Sequence, residues 1–303
     1  MCRFCDSCAE NTTEGRLDGS EIGELLIGGS IANSILGRAG HDTLSGHAGD
    51  DRISGNEGND LMLGGDGNDY LIGDSVLDST DGTSEDTIRG GQGRDTIFGG
   101  RDNDKLFGNQ NDDLLYGQDG DDTVYGGTGN DIIFGQDNRD SLVGGSGDDT
   151  IYGGNGTLSF SLDVNDTIQG GLGDDIIVGQ NGNDDLTGGG GADEFQFAHV
   201  RSFADLGRDK IQDFVSGTDK VVLEKDLFNG LAEGQQGQLD ASDFEVVQSM
   251  RAAKESSAGI VYNQSVGKLF YNANGTADGF GEGGLFATLT NKANVTAQDV
   301  ALI

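Results

Sequence analysis

Large apolar residues recur along the middle of the chain at a spacing that suits neither an amphipathic helix nor a long alternating strand. From Gly37 the sequence falls into nine-residue units: GRAGHDTLS, GHAGDDRIS, GNEGNDLML and GGDGNDYLI. After an interruption it resumes with GGQGRDTIF, GGRDNDKLF, GNQNDDLLY, GQDGDDTVY, GGTGNDIIF, GQDNRDSLV and GGSGDDTIY, and after a second with GGLGDDIIV, GQNGNDDLT and GGGGADEFQ. In all sixteen units the eighth place is large and apolar: Leu44, Ile53, Met62, Leu71, Ile88, Ile97, Leu106, Leu115, Val124, Ile133, Leu142, Ile151, Ile168, Ile177, Leu186 and Phe195. Each unit therefore predicts a glycine-rich turn followed by a strand of three residues. A three-residue strand with one apolar side chain cannot stand alone. Stacked, such strands form two apolar ladders that meet in a thin core. Neighbouring coils then satisfy each other's backbone groups at a spacing of about 4.7–4.9 Å.

The polar positions are as regular as the apolar ones. The sixth place is Asp in every unit: Asp42, Asp51, Asp60, Asp69, Asp86, Asp95, Asp104, Asp113, Asp122, Asp131, Asp140, Asp149, Asp166, Asp175, Asp184 and Asp193. A solvated acidic linker would not hold such a register. In the nine-residue units the fourth place is Gly except at Asp102, Asn111 and Asn138, and Asn and Asp are the other residues that best tolerate the left-handed region. Stacking coil on coil piles carboxylate on carboxylate. That ladder repels itself unless a hard, oxygen-seeking divalent cation lies within it, and flexible cages of carboxylate and carbonyl suit Ca²⁺ better than Mg²⁺.

The G-G-x-G-x-D-x-U-x units resemble the RTX (hemolysin-type) calcium-binding nonapeptide repeat, over roughly residues 19–197. The resemblance implies an all-β fold, a right-handed parallel β-roll (an RTX β-helix), with the sixth-place Asp carboxylates and loop carbonyls holding Ca²⁺ between successive loops. With eight loops on each side, the upper limit is about seven ions per side, or about 14 in all.

Two units are longer. Both the fifth, from Gly73, and the thirteenth, from Gly153, have 17 residues, with the extra length ahead of the Asp. The loops 74–85 and 155–165 are therefore expected to leave the same edge of the roll. The second carries Leu158, Phe160 and Leu162, an alternating set that reads as local cover or as a contact surface for a partner. Ahead of the regular units, 19–27 and 28–36 keep Leu26 and Ile35 but have Glu24 and Asn33 in the Asp place. Terminal repeats are commonly atypical, so weak or absent metal sites are expected there. Residues 1–18 read as a tail. Its Cys2, Cys5 and Cys8 echo part of an iron–sulfur run but lack a fourth ligand, and no metal is assigned to them.

From 198 to 303 the composition changes. The segment DKIQDFVSGTDKVVL, residues 209–223, resembles the stretch that follows the repeats in serralysin-type C-terminal regions. Residues 259–275 read as a hairpin and 284–291 as a further strand, which predicts a C-terminal antiparallel β cap. Phe195, Phe197, Phe214, Phe228 and Phe244 are its expected core. Asn263 and Asn272 stand where the related pattern has Asp, so no metal is expected there. The ending TAQDVALI resembles the uncleaved signal of type I secretion substrates.

Charge sets the class of partner. The chain has 303 residues with 53 acidic and 18 basic side chains, a formal charge of -35, with 55 Gly and no Pro. Such a polyanion is repelled by nucleic acid and anionic membranes, and no apolar run suits membrane insertion. No H-E-x-x-H or G-x-S-x-G motif occurs, and His is confined to 41, 47 and 199. The expectation is a non-catalytic, secreted, extracellular or cell-surface protein that folds on Ca²⁺ after type I export and acts structurally or adhesively. Beyond calcium and the type I secretion machinery, cell-surface glycans or another extracellular protein are the candidate partners. The alternative is an ancillary folding and export module serving a separate extracellular hydrolase or epimerase.

Overall fold

The computed structural model describes residues 8–10, 15–74, 84–155, 165–275 and 279–303. Cys2, Cys5, most of the two long loops and the Leu158, Phe160, Leu162 set lie outside the described residues. The fold is almost wholly β, with a single short α-helix, Met250–Glu255, among the described residues. The chain divides into two compact units, one up to Asp149 and one from Thr150.

In the first unit, strands alternate between two parallel sheets. One carries, side by side, Cys8–Glu10, Leu25–Ile27, Thr43–Ala48, Leu61–Asp66, Thr87–Gln92, Lys105–Gln110, Thr123–Thr128 and Ser141–Ser146. The other carries Arg16–Asp18, Ser34–Ala39, Arg52–Glu57, Tyr70–Ile72, Thr96–Arg101, Leu114–Asp119 and Ile132–Asp137. Each strand pairs with the one two units on, like with like: Leu115 lies beside Ile97 and Ile133, and Val124 beside Leu106 and Leu142. Two nonapeptides thus make one coil, and the stack already includes Arg16–Asp18.

Most strands are longer than expected. Leu114–Asp119 runs for six residues with only Leu115 and Gly117 buried. The strand continues through the first-place Gly and the two residues after it, because the sheets bend at the glycine rather than stopping there. Every eighth-place side chain from Leu44 to Phe195 is buried, so the ladders form as expected. The fourth-place substitutes also behave as expected: Asp102, Asn111 and Asn138 have φ of 66, 74 and 76°. The second place is left-handed too, even where it is not glycine, as at Arg38, His47, Asn56, Asn109, Gln118 and Gln136. These residues carry strain that glycine would not. Gln118→Gly is therefore expected to stabilise the calcium-saturated protein by roughly 0.5–1 kcal/mol, seen as a higher urea midpoint.

Outside the core the ninth places stack as well. Phe98, Tyr116 and Phe134 lie face to face with centroids 4.8 and 5.0 Å apart, and Phe107 stacks on Tyr125 at 5.2 Å. Arginine covers the first ring of each ladder: Arg52 is 4.5 Å over Tyr70, which leans on Phe98, and Arg89 is 4.4 Å over Phe107.

In the second unit one sheet holds Thr167–Leu172, Asp185–Gly190, Asp209–Ile211, Gly284–Leu289, Lys268–Tyr271, Ile260–Asn263 and Phe244–Val247. The other holds Thr150–Tyr152, Ile176–Val178, Glu194–Phe197, Lys220–Leu223 and Val300–Leu302. The expected hairpin is present, with Ile260 opposite Tyr271, and Gly284–Leu289 joins it antiparallel. Phe195, Phe197, Phe214 and Phe228 are buried, with Phe286 among them. Phe244 is only half-buried. Its place in the expected core is taken by Phe286, which meets Phe197 at 4.9 Å and Phe228 at 5.3 Å. Phe244 opens the last strand of this sheet, in which only Val247 is buried.

Candidate metal centre

The stacking fixes where each sixth-place Asp points. Its Oδ1 accepts the backbone N–H of the sixth-place residue one coil earlier. The Asp42 N–H donates to Asp60 at 2.7 Å, Asp51 to Asp69 at 2.8 Å, Asp86 to Asp104 at 2.8 Å and Asp104 to Asp122 at 2.7 Å. The second unit repeats the pattern, with Asp166 to Asp184 at 2.8 Å and Asp175 to Asp193 at 3.1 Å. All sixteen carboxylates are buried.

In ten of them the other oxygen accepts nothing from the protein. The buried Oδ2 atoms of Asp42, Asp51, Asp60, Asp69, Asp86, Asp95, Asp104, Asp113, Asp122 and Asp131 accept no hydrogen bond. Each points toward the first-place glycine of its own unit. At Gly117, an added Cβ would lie 2.7 Å from the Gly135 carbonyl oxygen and closer still to Asp122 Oδ2. The glycine thus leaves a cradle lined by a carboxylate oxygen and a carbonyl of the next coil.

A buried carboxylate with one unmet oxygen must acquire a proton or a cation. In the metal-free protein these carboxyls hold a proton to higher pH than a free Asp does. Burial, followed by the charges of neighbouring Asp residues, raises these groups against the opposing effect of the accepted N–H. Asp51, Asp69 and Asp131 rise to about 6, Asp95 and Asp122 to about 7, Asp60 and Asp113 to about 8, Asp86 to about 9 and Asp104 to about 10. Asp42 and Asp193 shift the same way. Among the described residues no three His, Cys, Asp or Glu side chains converge on one point. A cation between coils would therefore draw most of its ligands from backbone carbonyls. Such an oxygen-only set of carboxylates and carbonyls suits calcium, which takes roughly six to eight oxygens in loose geometry.

Family models for the RTX calcium-binding nonapeptide repeat match residues 27–62, 46–76, 80–115, 107–142, 134–157 and 162–195, together more than half of the chain. The chain belongs to the RTX calcium-binding nonapeptide repeat family. It is a calcium-binding β-roll protein. No curated protein matches the chain. The repeat is a structural calcium-binding one and no catalytic family is matched. No helix among the described residues is long and apolar enough to cross a membrane.

Several residues of the RTX stack escaped the nine-residue count. Asp184 donates its N–H to Asp209 at 3.0 Å, and Asp193 to Asp219 at 3.2 Å, so both carboxylate ladders run past the last regular unit. The signal was present. Residues 204–212, ADLGRDKIQ, and 214–222, FVSGTDKVV, keep the fourth-place Gly, sixth-place Asp and eighth-place apolar residue. Only the first-place Gly is lost. At these end coils acids also take up loop N–H groups: Asp213 accepts from Gly188 and Gly189, and Asp219 accepts a second N–H from Val215. At the other end Glu24 accepts from the Ser20 N–H and hydroxyl, and Asn33 from the Gly29 N–H. Both side chains are thus satisfied within their own loops.

A second ladder was also missed. The fifth place is Asn or Asp in most units, and its side chain accepts the N–H of the coil that follows. Asp50 accepts from Asn68, Asn103 from Asp121, Asp112 from Asn130 and Asn130 from Asp148, at 2.8–3.1 Å. The sixth-place ladder is buried and reaches backward, whereas the fifth-place ladder is exposed and reaches forward. His41 serves in the same way, its Nδ1 accepting the Asn59 N–H at 2.8 Å.

Proposed function

We propose that this RTX protein is exported unfolded and becomes an acidic, non-catalytic extracellular structural or adhesive protein when calcium fills the carboxylate ladders. One observation carries the reading: ten buried carboxylates, from Asp42 to Asp131, each keep a second oxygen that the protein itself does not satisfy. At neutral pH and low calcium the column opposes folding. Extracellular calcium, at about 10⁻⁴–10⁻³ M for such modules, relieves it. The resemblance of residues 296–303, TAQDVALI, to a type I secretion signal supports export, and the two stacked parallel sheets support a structural or adhesive role.

Far-UV circular dichroism of the whole chain, titrated from EGTA to about 10 mM calcium, tests this directly. A cooperative change from disordered to β with calcium, and not with the same concentration of magnesium, is expected. A β spectrum indifferent to EGTA would show that the apolar ladders fold the roll unaided.

A further inference from the structure

Asp74 breaks the repeat in a place where a charge matters. It is the second residue of the first 17-residue unit, and the only acidic residue in the second place of the sixteen units. The corresponding residue of the other long unit is Gly154. Asp74 is 6% exposed. Its N–H donates to the Gly99 carbonyl at 3.1 Å, and its Oδ2 accepts the Arg101 N–H at 3.0 Å, so the carboxylate is fixed against the loop of the next coil.

That position borders the buried ladder. Asp74 follows Gly73, whose missing side chain leaves the cradle formed by Asp86 Oδ2 and the Gly99 carbonyl oxygen. Its neighbour across the coil, Gly99, forms the next cradle with Asp104 Oδ2 and the Gly117 carbonyl oxygen, 2.6 Å from the place of a Cβ. Asp86 and Asp104 are both 1% exposed, and their Oδ2 atoms have no partner. Asp74 therefore adds a third buried carboxylate beside these two cradles, although the three do not converge on one point.

We infer that Asp74 makes the step between the Asp86 and Asp104 coils the tightest calcium site of the first unit, the one that fills first. This rests on the calcium reading above. Asp74 is a positioning residue. It acts by adding a fixed negative charge beside the cation and by holding the Gly99–Arg101 end of the next coil's strand. Calcium sites are graded by ligand charge and rigidity, and Asp74 adds to both here.

The test is competition of the whole chain with a chromophoric calcium chelator, comparing the native sequence with Asp74→Asn, Asp74→Ser and Asp226→Asn. Asn retains an acceptor for the Arg101 N–H, and circular dichroism in 10 mM calcium, on the order of extracellular saturation, verifies the fold of each variant. The tightest class of sites should weaken on the order of tenfold in both Asp74 variants, with total bound calcium nearly unchanged. Asp226→Asn, which removes one exposed charge elsewhere, should leave that class unmoved. An unchanged tightest class in the Asp74 variants, or an equal loss in Asp226→Asn, would overturn the inference. No calcium uptake by the native chain would instead overturn the reading beneath it.

Discussion

In EGTA at pH 8 the roll is expected to be unfolded, and acidification to about pH 5 should restore β structure without any metal. The sign follows from the ladder. The folded carboxyls titrate from about 6 at Asp51 to about 10 at Asp104, above the roughly 3.9 of a free Asp. The metal-free fold therefore takes up protons. Its stability is fully present below the unfolded value and falls as pH rises through the folded values. Asp299 works in the opposite sense. Hydrogen bonds from Ser216, Gly217 and Thr296 outweigh its burial and lower it, so that clasp at the chain end still holds at pH 5. Circular dichroism across pH 4–9 in EGTA gives the profile. A β signal that weakens on acidification would contradict the account. With calcium bound the dependence should reverse, since protons then compete with the ion for Oδ2.

The second large effect concerns Gly93. Its φ is +123°, and an added Cβ would press into the Gly67 carbonyl carbon and oxygen. Neither side of that contact is a side chain that can move aside. Gly93→Ala should cost about 2–5 kcal/mol, combining backbone strain with overpacking. Gly217→Ala is the control. That glycine also has positive φ, at +85°, but nothing lies within 4 Å of its Cβ position, so about 1–2 kcal/mol of strain is expected alone. Urea denaturation in saturating calcium separates the two. Equal losses would show that strain, and not coil spacing, sets the need for glycine.

The pattern of residues made the body of the stack readable because each coil repeats the same solution. A large eighth-place residue can only be buried between two sheets, and an Asp at the sixth place can only face its copy in the next coil. The left-handed turns at Asp102, Asn111 and Asn138 followed from the same logic. What escaped notice did so for physical reasons. Asp209 and Asp219 belong to the ladders, but their units lack the first-place Gly that anchored the counting. The forward-reaching fifth-place ladder is exposed, so Arg94 and Arg139 are tolerated within it and blur its composition. Second-place residues such as Gln118 accept positive φ because the paired strands hold them there, which no local preference of glutamine would suggest. Phe244 has the composition of a core residue but lies at a sheet margin.

The central claim is that calcium bridges successive coils through the buried Oδ2 atoms. Anomalous diffraction from crystals of the whole chain grown in calcium tests it most directly. The account predicts peaks along both edges of the stack, each within roughly 2.3–2.6 Å of carboxylate and carbonyl oxygens, beginning at the first regular coils and thinning out where Asp213 and Asp219 take up loop N–H groups. An intact roll with no peaks beside Asp86, Asp104 or Asp122 would contradict it.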